Sequence, residues 1–305
     1  MASPIKWVLR LFLALVALVV VAALGFYLRP VSYLNAHVYM QEHLLGIESR
    51  NVQVDGYRVH YLAMGPMNGS PVLLIHGLGG RAEDWWNVAP VLAKAGFRVY
   101  MPDLLGFGRS QQPADFSYSV RDQATVVVDF MNALGIKQAD VAGWSMGGWI
   151  VQLIAFNHPD RVSRLILIDS VGLNIKPAWN TNLFVPTSYQ ELAELEALLM
   201  PNPQPIPSFV ARDYLRRFSS NGWVIKRALA TMLTAHDVTD NLLPQLKMPV
   251  LIVWGSLDQI APANQAQTMH RLIAQSQLLL IPGCGHMVPL QCSQEMDPAA
   301  LRFIQ

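Results

Sequence analysis

The chain has 305 residues, 52% hydrophobic and 14% charged, with a net charge of +1. That length suits one large α/β domain with an insertion, since no linker-like shift in composition divides it. A near-neutral chain without a concentrated basic patch gives nucleic acid no footing, and its two cysteines have no partners at metal-ligand spacing, so neither a metal nor a cofactor is expected.

The first predicted element is apolar. Residues 11–28 carry no charge, and a run of about 18 such residues can span a bilayer core as a helix. Lys6 and Arg10 precede it and Arg29 alone follows closely, so the positive-inside bias puts the N-terminus in the cytoplasm and the rest of the chain on the other side. A single-pass membrane anchor over residues 1–30 is expected, with a cleaved signal peptide ending near Ala23-Leu24-Gly25, and hence a secreted or periplasmic protein, as the alternative. Residues 31–50 read as a linker containing an amphipathic helix, with Val31, Leu34, Val38 and Leu45 on its apolar positions.

The domain proper is expected over residues 51–305. Residues 52–61 alternate around Asp55-Gly56, a dipeptide suited to a tight hairpin. A fully apolar strand at 72–75, a helix at 85–95, a strand at 98–101 and a helix at 120–134 stopped by Gly135 follow. Another apolar run, 139–142, leads into a turn and a helix that ends before His158-Pro159; further buried-type strands are expected at 165–168, 250–254 and 278–281. Strands apolar on both faces and alternating with helices describe a mostly parallel sheet covered on both sides. Residues 172–246 are far more than one crossover requires, and their two apolar helical stretches around a Pro-rich turn read as a helical cap over a pocket. Cys284 and Cys292 are compatible with a disulfide or with two buried thiols.

The turn after 139–142 is Gly143-Trp144-Ser145-Met146-Gly147, a Gly-x-Ser-x-Gly nucleophile elbow. A serine hydroxyl is a weak nucleophile, so a sharp strand-to-helix turn must expose it to a base on one side and to backbone amides on the other. Read alone, the motif is also compatible with a Gly-rich turn whose serine only caps a helix.

Four stretches carry a wider resemblance: His76-Gly77-Leu78-Gly79-Gly80, the run from Asp103 to Ser110, the elbow, and Gly283-Cys284-Gly285-His286. With them the chain resembles the α/β-hydrolase superfamily from about Arg50 onward, which implies a mostly parallel central sheet flanked by helices with a helical cap insertion. The superfamily's order of Ser, acid and His is met by Ser145, Asp258 and His286, with Asp169 as the rival acid. The resemblance implies an oxyanion hole from the backbone N–H groups of Leu78 and Met146, and a bracing role for His76. Within the superfamily it is similar to monoacylglycerol lipase-like and bacterial lipase-like members. A membrane-anchored serine hydrolase of carboxylic esters, lipid esters such as monoacylglycerols among them, is the resulting expectation. Its alternatives are a carbon–carbon bond hydrolase, a cofactor-free haloperoxidase-like enzyme, and a non-catalytic binding protein of the same shape.

Overall fold

The computed structural model describes residues 4–305. Helix α1 (Pro4–Leu28) is separated from α2 (Pro30–Leu44) by Arg29 alone. The most apolar stretch of α1 reaches a mean hydropathy of 2.8 with none of it buried, so this helix is long and apolar enough to cross a membrane. Helix α2 instead lies against the domain. Its Val31 amide donates to a buried Asp213 carboxylate at 3.0 Å, and its Glu42 forms a bidentate pair with Arg109, whose guanidinium also reaches Glu83.

The hairpin falls where the sequence puts it. Strands β1 (Glu48–Val54) and β2 (Tyr57–Met64) pair antiparallel with Val54 opposite Tyr57. Asp55 and Gly56 take φ of 47° and 82°, the two positive values that a two-residue turn of this twist requires. Then come β3 (Pro71–Ile75), α3 (Ala89–Lys94), β4 (Arg98–Pro102), α4 (Val120–Ala133), β5 (Ala139–Trp144), α5 (Met146–Asn157) and β6 (Val162–Ile168). The helix expected over 85–95 is broken into a 3₁₀ turn, Ala82–Trp85, and the short α3. Pro90 explains the break, because it has no N–H to donate and is accommodated only in the first turn of a helix.

The chain leaves the sheet after β6. It forms a 3₁₀ turn (Thr181–Phe184) and helices α6 (Tyr189–Leu199) and α7 (Ser208–Met232), then returns through β7 (Val250–Gly255), α8 (Asn264–Leu272), β8 (Ser276–Ile281), α9 (Val288–Gln291) and α10 (Ser293–Ile304). The N-terminal half of α7 packs on the junction of α1 and α2. There Tyr27 stacks on Phe209 at 5.4 Å, Arg212 lies over the Tyr27 ring, and Arg216 donates to the Leu28 carbonyl. Cys284 and Cys292 are joined as a disulfide, which decides the pairing that the sequence leaves open.

All eight strands form one sheet in the order β1-β2-β4-β3-β5-β6-β7-β8, antiparallel at β1/β2 and β2/β4 and parallel elsewhere. Alternate residues feed the two faces. Leu73, Ile75, Ile252 and Trp254 enter one core, while Val72, Leu74, Leu251 and Val253 enter the other. That two-sided burial is why these strands read as unbroken apolar runs. From β3 the chain winds one way to β4 and the other way to β5. The crevice at the carboxyl ends of β3 and β5 is thus a topological switch point, where open α/β sheets bind ligands.

Helix α5 meets β3 closely at Gly147, where a Cβ would collide with the backbone carbonyl of Ile75. Gly147→Ala should therefore destabilise the fold by at least about 2 kcal/mol, because a backbone strand, not a flexible side chain, would have to move. Chemical denaturation of the purified variant measures this, and an unchanged midpoint would mean that the helix has slack at this point.

Candidate active site

Ser145 occupies the turn between β5 and α5 with φ 55° and ψ −119°, a conformation that a non-glycine residue holds only when its surroundings impose it. They do so here. The Ser145 amide donates to the Ile168 carbonyl at 2.9 Å, and its own carbonyl accepts from Trp149 and Val171. The turn leaves the hydroxyl projecting beyond the carboxyl end of the sheet.

The loops after β7 and β8 supply its partners. Ser145 Oγ and His286 Nε2 are 2.8 Å apart, and His286 Nδ1 lies 2.8 Å from Asp258 Oδ2. In the neutral tautomer with the proton on Nδ1, the hydroxyl donates to Nε2 and the imidazole donates to the carboxylate. The second Asp258 oxygen accepts from the Ile260 and Ala261 amides at 2.8 and 2.9 Å, so this carboxylate cannot rotate away. The ring is further located from behind: the Trp144 indole donates to the His286 carbonyl, and the His286 amide donates to the Leu199 carbonyl at the end of α6.

Burial by itself disfavours a charged imidazole, but the charge and hydrogen bond of Asp258 outweigh it and raise the pKa of His286 above its usual value. Asp169, at the end of β6, is also close. It makes no hydrogen bond to His286; its oxygens accept from the Gly255 and Val288 amides at 2.8 and 3.3 Å. Burial first, and the Asp258 charge second, push its carboxyl up to about 8. The ligand atoms of Asp169, Asp258 and His286 lie within 4.8 Å of one another, and both ring nitrogens of His286 have protein partners, Asp258 and Ser145.

Leu78 lines the cavity together with Ser145, and Met146 follows Ser145 directly in the chain. Among the described residues, no turn, loop or cap hydrogen bond uses either amide, and Met146 opens α5, where an N–H has no partner within the helix. Two free donors and a helix N-terminus beside a hydroxyl are suited to a developing oxyanion. Buried His76 braces the loop that carries Leu78. Its Nδ1 donates to the Gly77 carbonyl and its Nε2 accepts from the Leu104 amide, while burial holds its pKa below the usual imidazole value. A cavity of about 220 Å³ opens above Ser145 and His286, walled mostly by apolar side chains, with Phe184, Leu195, Phe218 and Ile225 contributed by the segment between β6 and β7.

His60 has no interpretable sequence spacing, and the fold makes it the centre of a second relay. Its Nδ1 meets Asp103 at 2.7 Å and its Nε2 meets Ser49 at 2.9 Å. Ser49 stands exposed on the regular strand β1, without the elbow's sharp turn. Asp103 there is a structural hub that also accepts from the Ala82 and Arg109 amides, so Arg109 meets it through the backbone while its guanidinium goes to Glu42 and Glu83. Three residue types at hydrogen-bond distance do not make an active site without the elbow, the free amides and the cavity.

These features have counterparts in known proteins. A solved membrane phospholipase A, described as a novel bacterial virulence factor, superposes with a TM-score of 0.82 at 28% identity and covers 97% of each chain. Lipase 3 of a Moraxella species is 29% identical over 247 residues, 76% of each chain. A 2-hydroxymuconate semialdehyde hydrolase of Pseudomonas putida is 30% identical over 276 residues, 84% of this chain and 93% of that one. The model of the alpha/beta hydrolase fold family matches residues 70–291, and the eight-stranded sheet with a serine at its β5–α5 elbow is that fold: the chain belongs to the α/β-hydrolase family.

Proposed function

We propose that the protein is a membrane-anchored serine hydrolase that cleaves carboxylic esters, with lipid esters such as monoacylglycerols as its substrates. The observation that carries this is the hydrogen-bonded chain Ser145–His286–Asp258 beneath an apolar cavity. His286 takes the proton as Ser145 Oγ attacks the ester carbonyl, and the Leu78 and Met146 amides receive the resulting oxyanion. The intermediate collapses to an acyl-enzyme on Ser145, and His286 returns its proton to the departing alcohol. Water, deprotonated by the same imidazole, then releases the acid. Asp258 holds the ring and stabilises its charged form.

Lipid as the substrate draws support from the apolar cavity wall, from the lipase and phospholipase relatives, and from α1. Residues 1–30 act as the anchor with the domain on the non-cytoplasmic side, and 172–246 act as the cap. An anchor is favoured over a cleaved leader because Phe26 and Tyr27, at the end of α1, pack on Phe209 of α7, so cleavage near Phe26 would remove or expose part of a folded interface. The disulfide fits an oxidising compartment. Carbon–carbon bond hydrolysis is the second reading, because the semialdehyde hydrolase matches as well. A muconate is an anion, however, and among the described residues the cavity lining contains no Lys or Arg to meet one.

Ser145→Ala should lower kcat/KM for an ester by roughly 10⁴-fold or more while circular dichroism stays unchanged; near-wild-type turnover would remove Ser145 from the chemistry. Because only neutral His286 can accept the serine proton, and its pKa is raised, kcat/KM should fall with decreasing pH through a midpoint above 6.5. Asp258→Asn should cost roughly 10³-fold or more and shift that midpoint downward, whereas Asp169→Asn should cost far less. The reverse ranking would make Asp169 the acid. Removal of residues 4–28 should release the enzyme from membranes and spare hydrolysis of a soluble short-chain ester, a result contradicted if the full chain already fractionates as soluble.

A further inference from the structure

The cavity over Ser145 contains one ionisable side chain that the hydrolytic cycle does not use. Among its described lining residues, only Ser145, His286 and Asp84 carry a hydroxyl or an ionisable group. Asp84 stands in the 3₁₀ turn just beyond the loop that carries Leu78. Its Oδ2 accepts from the Arg81 amide at 2.9 Å, a local cap that occupies one oxygen. Oδ1 takes no hydrogen bond from a described residue, and Asp84 is one of the side chains that line the cavity. Gly80 leaves room for the capped oxygen: a Cβ there would stand 2.6 Å from Asp84 Oδ2.

An ionised carboxylate only accepts hydrogen bonds, and one beside an apolar cavity is destabilising unless a donor meets it. Burial pushes the Asp84 carboxyl up to about 7, so the comparison below is made at pH 8, where the ionised form, which only accepts, prevails. A lipid ester has donors in only one half. The acyl chain has none and the ester group only accepts, whereas a polyol alcohol carries free hydroxyls. We propose that Asp84 is a specificity residue that accepts a hydrogen bond from a free hydroxyl on the alcohol half of the substrate, which narrows the substrate class to partial esters of a polyol such as glycerol. This rests on the ester-hydrolase reading above.

The test compares a monoacylglycerol with the methyl ester of the same fatty acid, using the full-length enzyme and its Asp84→Ala and Asp84→Asn variants in detergent micelles. The quantity read is the ratio of the two kcat/KM values, because any loss of folded enzyme or of nucleophile strength affects both esters and cancels. Wild type should favour the glycerol ester, and Asp84→Ala should reduce the ratio by roughly tenfold or more, the effect of losing a hydrogen bond to a charged group. Asp84→Asn retains an oxygen for the Arg81 amide and should reduce it by about threefold or more, and this variant decides the matter if the alanine protein does not accumulate. Ratios equal to that of wild type in the variants would overturn the proposal and leave Asp84 as a cap of its turn. Wild-type inactivity toward both esters would overturn the ester-hydrolase reading, and the role of Asp84 with it.

Discussion

The backbone of Ser145 is the constraint on which the rest of the site depends. A serine at φ 55° is strained by about 1–3 kcal/mol, and it persists because the hydrogen bond its amide donates and the two its carbonyl accepts, together with the close packing of α5 on β3, leave the turn no alternative. The same strain aims the hydroxyl away from the sheet, frees the Met146 amide at the start of α5, and leaves room for His286 to arrive from β8. If the turn relaxed toward ordinary helical geometry, the hydroxyl would become a helix cap and the relay would have no first member. The stability of the two-sided core is what sustains this local cost.

Much of the fold was legible because parallel strands buried on both faces appear as apolar runs, as at Val72 to Ile75 and Val250 to Trp254, and because Asp55-Gly56 and the elbow demand particular backbone angles. The residues of the candidate site were legible as a set through motif order, since Ser145, Asp258 and His286 follow strands in the order that the family shares. Other features were not. Pro90 and Pro298 interrupt helical patterns, so the apolar spacing over 85–95 overstates the length of α3 and that of α10 gives no clear signal. The His60–Asp103 pair is a tertiary contact across 43 positions that no local period encodes. Asp84 could not be singled out because its significance lies in which of its oxygens is already bonded, a matter of geometry alone.

Helix α7 joins two parts of the molecule that the sequence treats as separate. Its first turns, through Phe209, Arg212, Asp213 and Arg216, hold the end of α1 and the start of α2, and its later turns bring Phe218 and Ile225 to the cavity over Ser145. Several of these contacts are aromatic or guanidinium groups, side chains suited to the boundary between water and lipid. The wall of the cavity and the apolar helix are therefore parts of one packed unit. Glu42, Arg109 and Glu83 secure α2 to the loop region beside β4 in the same way, through a largely buried network.

The central claim is that Ser145 is an activated nucleophile, and a fluorophosphonate reagent followed by peptide mass spectrometry tests it most directly. The account predicts one stoichiometric adduct on the peptide containing Ser145, suppressed when a lipid ester competes. Ser49, in the other Ser–His–Asp relay of the same molecule, should stay unmodified and serves as an internal control. An active enzyme that resists the reagent, or that carries the adduct elsewhere, would contradict the account.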